Sequence, residues 1–237
     1  MVEIIPAIMP DSFNDLLQKA ERVKGIVPRA QIDVMDGKFV PSVSWPYDEE
    51  GISQFKSMVK NGEMLPFWDE IDYEIDLMVE NPEDIVEDWV ALGARRIIVH
   101  IKSTKKLKEI ITLLENACSE EEDFICVPPI EFGIALGAKT TIDALTPYMH
   151  DVDVVQFMGI KKIGYQGEPF DESVTGRIES LREEYPHLII SVDGGVSFET
   201  APKLIKAGAT RLVSGSTIFN SPDIRATISK LRQEQTS

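Results

Sequence analysis

The feature that most restricts this chain is an alternation of short β-rich runs with longer stretches of helical periodicity, kept up along its whole length. Such alternation builds a parallel sheet covered by helices, because each parallel neighbour needs a crossover connection and a helix is the usual one. Strands read at Glu3–Ile8, Ala30–Met35, Tyr73–Val79, Arg96–Ile101, Ile130–Ala135, Val152–Phe157, Leu188–Val192 and Arg211–Ser214. Helical patterns read at Asp11–Lys24, Pro82–Leu92, Thr104–Ala117, Thr140–Tyr148, Asp171–Glu184, Phe198–Ala207 and Pro222–Arg232, with Asp11, Asn81, Thr140 and Ser197 as N-caps. Gly93 and Gly208 stand where two of these helices end. Eight strands predict a closed (β/α)8 TIM barrel, and 237 residues with 43% apolar content suffice for one such α/β domain. Residues 44–70 hold Trp45, Pro46, Pro66, Phe67 and Trp68 around one amphipathic stretch. They read as a decorated second βα connection, either a lid or subunit contact or an ordinary helix with a long loop.

Charge narrows the partners. Forty acids against twenty-four bases give a formal charge of −16, a field that repels nucleic acid. The same field slows any sugar phosphate, so a phosphate site here needs local backbone donors, a lysine or a bound cation. No apolar run approaches the roughly 20 residues of a membrane span, and Met1-Val2-Glu3 lacks a basic signal-peptide start, so a cytoplasmic protein without a membrane partner is expected. Cys118 and Cys126 are too few for a disulfide framework or a four-cysteine zinc site and are expected to be reduced and structural.

Strand alternation puts Gln31, Asp33 and Met35 on one face, likewise Glu74, Asp76 and Met78, Gln156 with Met158, and Ser191 with Asp193. In a barrel, polar residues at the carboxyl ends of strands converge on the substrate mouth, with branched apolar residues expected lower down. An isolated aspartate at a strand end is ordinarily a cap or turn residue. Asp33, Asp76 and Asp193 recur at three strand ends, which points to a shared site. Two carboxylates on opposite sides of a sugar carbon remove a proton from one face and return one to the other, which is epimerisation. The carbon acid also needs its enediolate oxygen stabilised by a metal or by preorganised donors. Asp193-Gly194-Gly195-Val196-Ser197 and Ser214-Gly215-Ser216 follow the last two strands, where barrels commonly hold phosphate on backbone N–H groups.

Four segments, Ile32-Asp33-Val34-Met35-Asp36-Gly37-Lys38-Phe39-Val40-Pro41, Asp76-Leu77-Met78-Val79-Glu80-Asn81-Pro82, Val192-Asp193-Gly194-Gly195-Val196 and Val213-Ser214-Gly215-Ser216-Thr217-Ile218-Phe219, resemble ribulose-phosphate 3-epimerases, and the likeness covers most of the chain. The resemblance implies that Asp33 and Asp193 are the acid/base pair and that Met35, Met78 and Met158 crowd the reacting carbons, although methionine is also an ordinary core filler. It implies a phosphate site of Gly167, Gly194, Gly195, Gly215 and Ser216, with Gly164–Phe170 standing where the family has a flexible glycine-rich loop.

The departures from that pattern bear on the metal. The family holds a divalent cation with two histidines and the two catalytic aspartates, and here Gln31 and Asp76 occupy the histidine positions. A set of Gln31, Asp33, Asp76 and Asp193 offers oxygen alone, which favours Mg²⁺ or Mn²⁺ over Zn²⁺ or leaves the site without a metal. Ala7 replaces the family's early serine, and Gly137-Ala138-Lys139 its Asn-Pro segment. Lys139 reads as a solvated helix-start residue, Lys161-Lys162 as surface lysines near the mouth, and His100 as a structural histidine; His150 and His187 join no constellation.

Three functions stay open: a pentulose- or hexulose-phosphate 3-epimerase, the same phosphate-binding barrel running a decarboxylase or aldol-type lyase reaction, and a silent sugar-phosphate binder. Lys161 or Lys162 beside Asp76 would favour the lyase. A homodimer is the default assembly.

Overall fold

Eight parallel strands close on themselves in the computed structural model, which describes residues 2–117, 129–165 and 167–233. They are β1 (Glu3–Ile8), β2 (Arg29–Met35), β3 (Asp72–Met78), β4 (Ala94–His100), β5 (Glu131–Leu136), β6 (Val154–Met158), β7 (Ile189–Asp193) and β8 (Arg211–Ser214), each paired with the next and β8 with β1. Every strand lies within two residues of its expected span. The expected single (β/α)8 barrel is the fold.

The helices are α1 (Phe13–Val23), α2 (Gly51–Asn61), α3 (Val86–Ala91), α4 (Leu107–Ala117), α5 (Ser173–Glu184), α6 (Ala201–Ala207), α7 (Ser216–Phe219) and α8 (Ile224–Leu231). Three of the expected caps move. Ser12 rather than Asp11 caps α1, accepting from the Asp15 N–H, since a cap must sit one residue before the first helical φ/ψ. The expected helix after β5 is a 3₁₀ run, Ile142–Tyr148, entered from Thr141 rather than Thr140; Pro147 lacks the N–H that regular α-helical bonding requires. Ser197, three residues before the flanking Thr200 of α6, closes a turn onto it, its N–H donating to Thr200 Oγ1 at 2.9 Å. Asn81 does flank the 3₁₀ turn Pro82–Asp84, without a side-chain capping bond. Gly93 and Gly208 take positive φ at the expected helix ends. Cys118 and Cys126 lie outside the described residues. Among the described residues no helix is long and apolar enough to cross a membrane.

The irregular second connection contains α2, whose Phe55 packs with Trp45 and Trp89, ring centroids 4.9–5.7 Å apart, outside the barrel wall. Ser44, at the head of this segment, accepts the Met35 N–H at 2.9 Å and donates to the Asp33 carbonyl at 2.8 Å, fixing the end of β2 from which Asp33 projects.

Outward-facing strand residues such as Ile32, Val34, Ile75, Leu77, Ile97, Val99, Val155 and Phe157 are buried against the helices and form the main apolar core. The inward face departs from the expected branched apolar filling. Its amino-terminal layer is a ring of charge: Glu74 is held by Arg96 at 2.8 Å and by Arg211, Arg211 reaches Glu3 at 2.9 Å, and Glu131 joins Arg96 to Arg29. Glu74, Arg96 and Arg211 are almost wholly sealed from solvent. Alternation assigns these residues inward whatever their polarity, and mutual pairing is what lets charges occupy a buried layer.

Candidate active site

Above that ring the inward polarity continues but the arginines stop. Asp33 is aligned with Asp76 across β2 and β3, and Met35 with Met78 one step nearer the mouth. β7 brings Asp193 beside Met158 of β6. One carboxylate oxygen each from Asp33, Asp76 and Asp193 lie within 4.8 Å of one another, all three residues buried.

The expected site set is therefore brought together, with roles refined by contacts. The Gln31 amide nitrogen bridges the pair, donating to Asp33 Oδ1 at 2.7 Å and Asp193 Oδ2 at 2.9 Å. Gln156 donates to Asp76 Oδ2 at 3.1 Å and is itself fixed by the Ser191 hydroxyl at 3.0 Å. His100, read from sequence as structural, stands with Nε2 3.2 Å from Asp76 Oδ1 without hydrogen bonding to it. Asp76 thus meets Gln156 and His100, and its described contacts include no lysine. Ser44 was missed because its importance is tertiary: nothing in Val43-Ser44-Trp45 signals that the hydroxyl clamps β2.

Asp33 and Asp193, buried beside Asp76 with no Lys or Arg paired to them among the described residues, resist ionising together. Burial holds the Asp33 carboxyl well above the usual carboxylate range, and the neighbouring charges of Asp193 and Asp76 add to this against the Gln31 hydrogen bond. Asp193 is pushed up to about 7, chiefly by burial and then by Asp76, with Gln31 and His100 pulling the other way. As a coupled pair, Asp33 and Asp193 retain a proton close to neutrality.

The same residues fit a hard divalent cation. Gln31 Oε1 and Asp76 Oδ1 are buried oxygens without a hydrogen-bond partner, and an oxygen donor set of this kind suits such an ion. His100 Nε2, also unpartnered, adds an imidazole beside Asp76 that the expected oxygen-only set lacked, although it lies outside the mutually close carboxylate group.

A cavity of about 350 Å³ opens onto this cluster, with Asp33, Asp193, Met78 and Met158 in its wall. Gly167, Gly194, Gly195, Gly215 and Ser216, the residues expected at the phosphate, also line it. Met35 is not in the cavity wall; it is buried and packs with Met78 and Val40. Two glycines are required by geometry. Gly194 and Gly195 take φ of +89° and +67°, and a Cβ on Gly194 would lie 2.8 Å from Ile160. The loops they open are tied together, Thr200 donating to the Gly195 carbonyl at 2.7 Å and Thr217 to the Val196 carbonyl at 2.9 Å. The loop at 164–170 contributes Tyr165, Glu168 and Phe170 to the wall; its Gln166 is outside the described residues.

Residues 3–219 match the model of the ribulose-phosphate 3 epimerase family. The chain is 28% identical to ribulose-phosphate 3-epimerase of Bacillus subtilis (strain 168) over 98% of its own length and 99% of the relative's. It is 31% identical to ribulose-phosphate 3-epimerase of Methanocaldococcus jannaschii over 98% and 91%. Among solved structures, 3-keto-L-gulonate-6-phosphate decarboxylase from Vibrio cholerae superposes with a TM-score of 0.67 at 12% identity over 98% of this chain and 95% of that one, a likeness of fold alone.

Proposed function

This chain belongs to the ribulose-phosphate 3-epimerase family, and from that premise we propose that it epimerises C3 of a ketose phosphate with Asp33 and Asp193 as the two proton-transfer groups. The observation that carries the reading is the meeting of these two carboxyls with Asp76 beside a cavity whose wall holds Asp33, Asp193 and the glycine loops after β7 and β8. The substrate phosphate lies on the loops after β7 and β8, where Gly194, Gly195, Gly215 and Ser216 let backbone N–H groups approach it. That places the carbon chain along Met78 and Met158, with C3 at the aspartates.

One of the pair, ionised, takes the C3 proton; the other, holding its proton, delivers it to the opposite face, and the electron pair passes through the enediolate and back to carbon. The raised pKa of both acids supports this division, because a pair that keeps one proton near neutrality is ready to act in either direction. Gln31 holds the two carboxylates at fixed separation, and Gln156 fixes Asp76, with His100 beside it. Met78 and Met158 exclude water from the reacting carbons. A divalent cation, Mg²⁺ or Mn²⁺ in preference to Zn²⁺, would be held by Asp33, Asp76 and Asp193 with Gln31; when bound it supplies electrostatic stabilisation of the enediolate oxygen.

The test follows solvent deuterium into C3 of ribulose 5-phosphate and of its C3 epimer by NMR. Asp33→Asn and Asp193→Asn are each expected to slow interconversion by about 10²–10⁴-fold, while each variant retains washout from just one epimer, the two variants from opposite ones. Interconversion surviving in both variants sinks the two-aspartate mechanism, and binding of ribulose 5-phosphate to the native chain without exchange replaces the epimerase with a silent binder.

A further inference from the structure

A second cavity, of about 300 Å³, lies over the carboxyl ends of β4 and β5 and the loop after β6. Lys102, Lys139 and Lys161 line it together with His100, and among the described residues no carboxylate does, in a chain of forty acids and twenty-four bases. None of the three lysines forms a close ion pair among the described residues, and Asp171, which Lys161 attracts, lies outside the wall of the cavity. The first cavity is the reverse: among the described residues neither Lys nor Arg lines it, and Glu168 and Glu199 do.

The two cavities flank the same reacting centre. Asp33 and Asp193 face the first. Asp76, within 4.8 Å of both, touches His100 at 3.2 Å, and His100 borders the second. Phe39 and Ile163 in the wall of the second pack on the Met35–Met78 cluster, and Met78 is in the wall of the first. A substrate with its middle carbons at the aspartates thus has the β7–β8 loops in one bordering cavity and the lysines in the other.

We propose that this cavity is an anion subsite and that the substrate is a ketose phosphate with a second anionic group, a carboxylate or a second phosphate, at the end remote from the first phosphate. The inference rests on the reading of the β7–β8 loops as the first phosphate site. One exposed lysine contributes little, but three in a concave wall concentrate positive potential within a strongly negative molecule. Ammonium groups act as point charges and accept either anion, so the chemistry common to both is what the site selects.

Calorimetric titration of two matched pairs tests it: ribulose 1,5-bisphosphate against ribulose 5-phosphate, and 6-phosphogluconate against glucitol 6-phosphate. At low ionic strength the doubly anionic member of at least one pair is expected to bind about tenfold tighter or more, with the advantage shrinking as salt is added and falling towards unity in a Lys139→Ala/Lys161→Ala variant. Preference in the first pair alone identifies a second phosphate, in the second alone a carboxylate. Ratios near one in both pairs, or a preference that survives the double substitution, overturn the subsite. If ribulose 5-phosphate binds while the ratios are one, this inference alone fails; if neither ribulose phosphate binds, the phosphate-loop reading fails and takes it along.

Discussion

Glu74 sits in the barrel floor and Asp76 one step above it at the mouth, on the same inward face of β3 and both sealed from solvent, yet their surroundings are opposite. Glu74 lies between Arg96 and Arg211. Asp76 lies among Asp33, Asp193, Gln156 and His100. Burial alone would raise the Glu74 pKa, but the two arginines outweigh it and hold the carboxyl below its ordinary range. Burial raises Asp33 and Asp193 as well, and there the nearby charges add to it. A buried layer that balances its own charge holds a fold together. A buried layer that does not is one where a proton, a cation or a substrate completes the balance, and that is what a site for proton transfer needs.

The largest effect expected of this contrast is in the floor. Glu74→Gln leaves Arg96 and Arg211 buried without their shared carboxylate and should cost about 3–5 kcal/mol of unfolding free energy at neutral pH, read from urea denaturation. Because the folded pKa of Glu74 is lowered, its contribution is present above the unfolded carboxylate pKa of about 4 and is lost as pH falls through the lowered folded value. The deficit of the variant should therefore stay constant from pH 6 to 8 and close only in acid. A cost below about 1 kcal/mol would mean that the floor charges are independent of one another and that the comparison with the mouth has no energetic content.

At the mouth the sign reverses. With divalent cations chelated, Asp193→Asn keeps an acceptor for Gln31 and removes a charge that Asp33 and Asp76 oppose, so it should stabilise the fold by about 1–3 kcal/mol at pH 8. A raised folded pKa means that the native protein binds more protons than the unfolded chain between about 4 and about 7, so the native chain gains stability as pH falls through that window. The advantage of Asp193→Asn should shrink over the same range and vanish near pH 4. Destabilisation at pH 8 would show that the three aspartates are already compensated.

Floor and mouth also differ in how far the sequence discloses them. The mouth was legible: Asp33, Asp76 and Asp193 end strands whose period-2 pattern fixes their direction, and Gly194 and Gly195 announce a positive-φ turn where phosphate loops occur. The floor was not, because Glu3, Arg29, Glu74, Arg96, Glu131 and Arg211 are scattered over six strands, and although alternation puts Glu74 on the face of Asp76, no residue alone names its partner. Their pairing depends on barrel closure and register, such as Arg96 beside Glu131 and Glu3 beside Arg211. The same limit hid the Ser44 clamp and the convergence of Lys102, Lys139 and Lys161, three residues on three different loops. It also explains why Met35 is expected at the substrate: strand parity gives the face but not whether a side chain reaches the cavity, and Met35 packs with Met78 and Val40 outside the cavity wall.

The smallest effect separates the regions by ligand. A cation that binds the native mouth and not the unfolded chain stabilises by RT ln(1 + [L]/Kd), about 1.4 kcal/mol at a tenfold excess over Kd. Mg²⁺ or Mn²⁺ should therefore raise the melting temperature by a few degrees for a chain of this size, and should remove the pH dependence at the mouth, because carboxylates facing a cation no longer favour the protonated form. Asp76→Asn, which takes away one of the three clustered carboxylates, should abolish most of the increment. Glu74→Gln should keep it despite a lower baseline, since Glu74 belongs to the charge ring and not to that cluster. Equal increments in Asp76→Asn and the native chain would place the cation elsewhere, and the mouth would then depend on its retained proton and its hydrogen-bond donors alone.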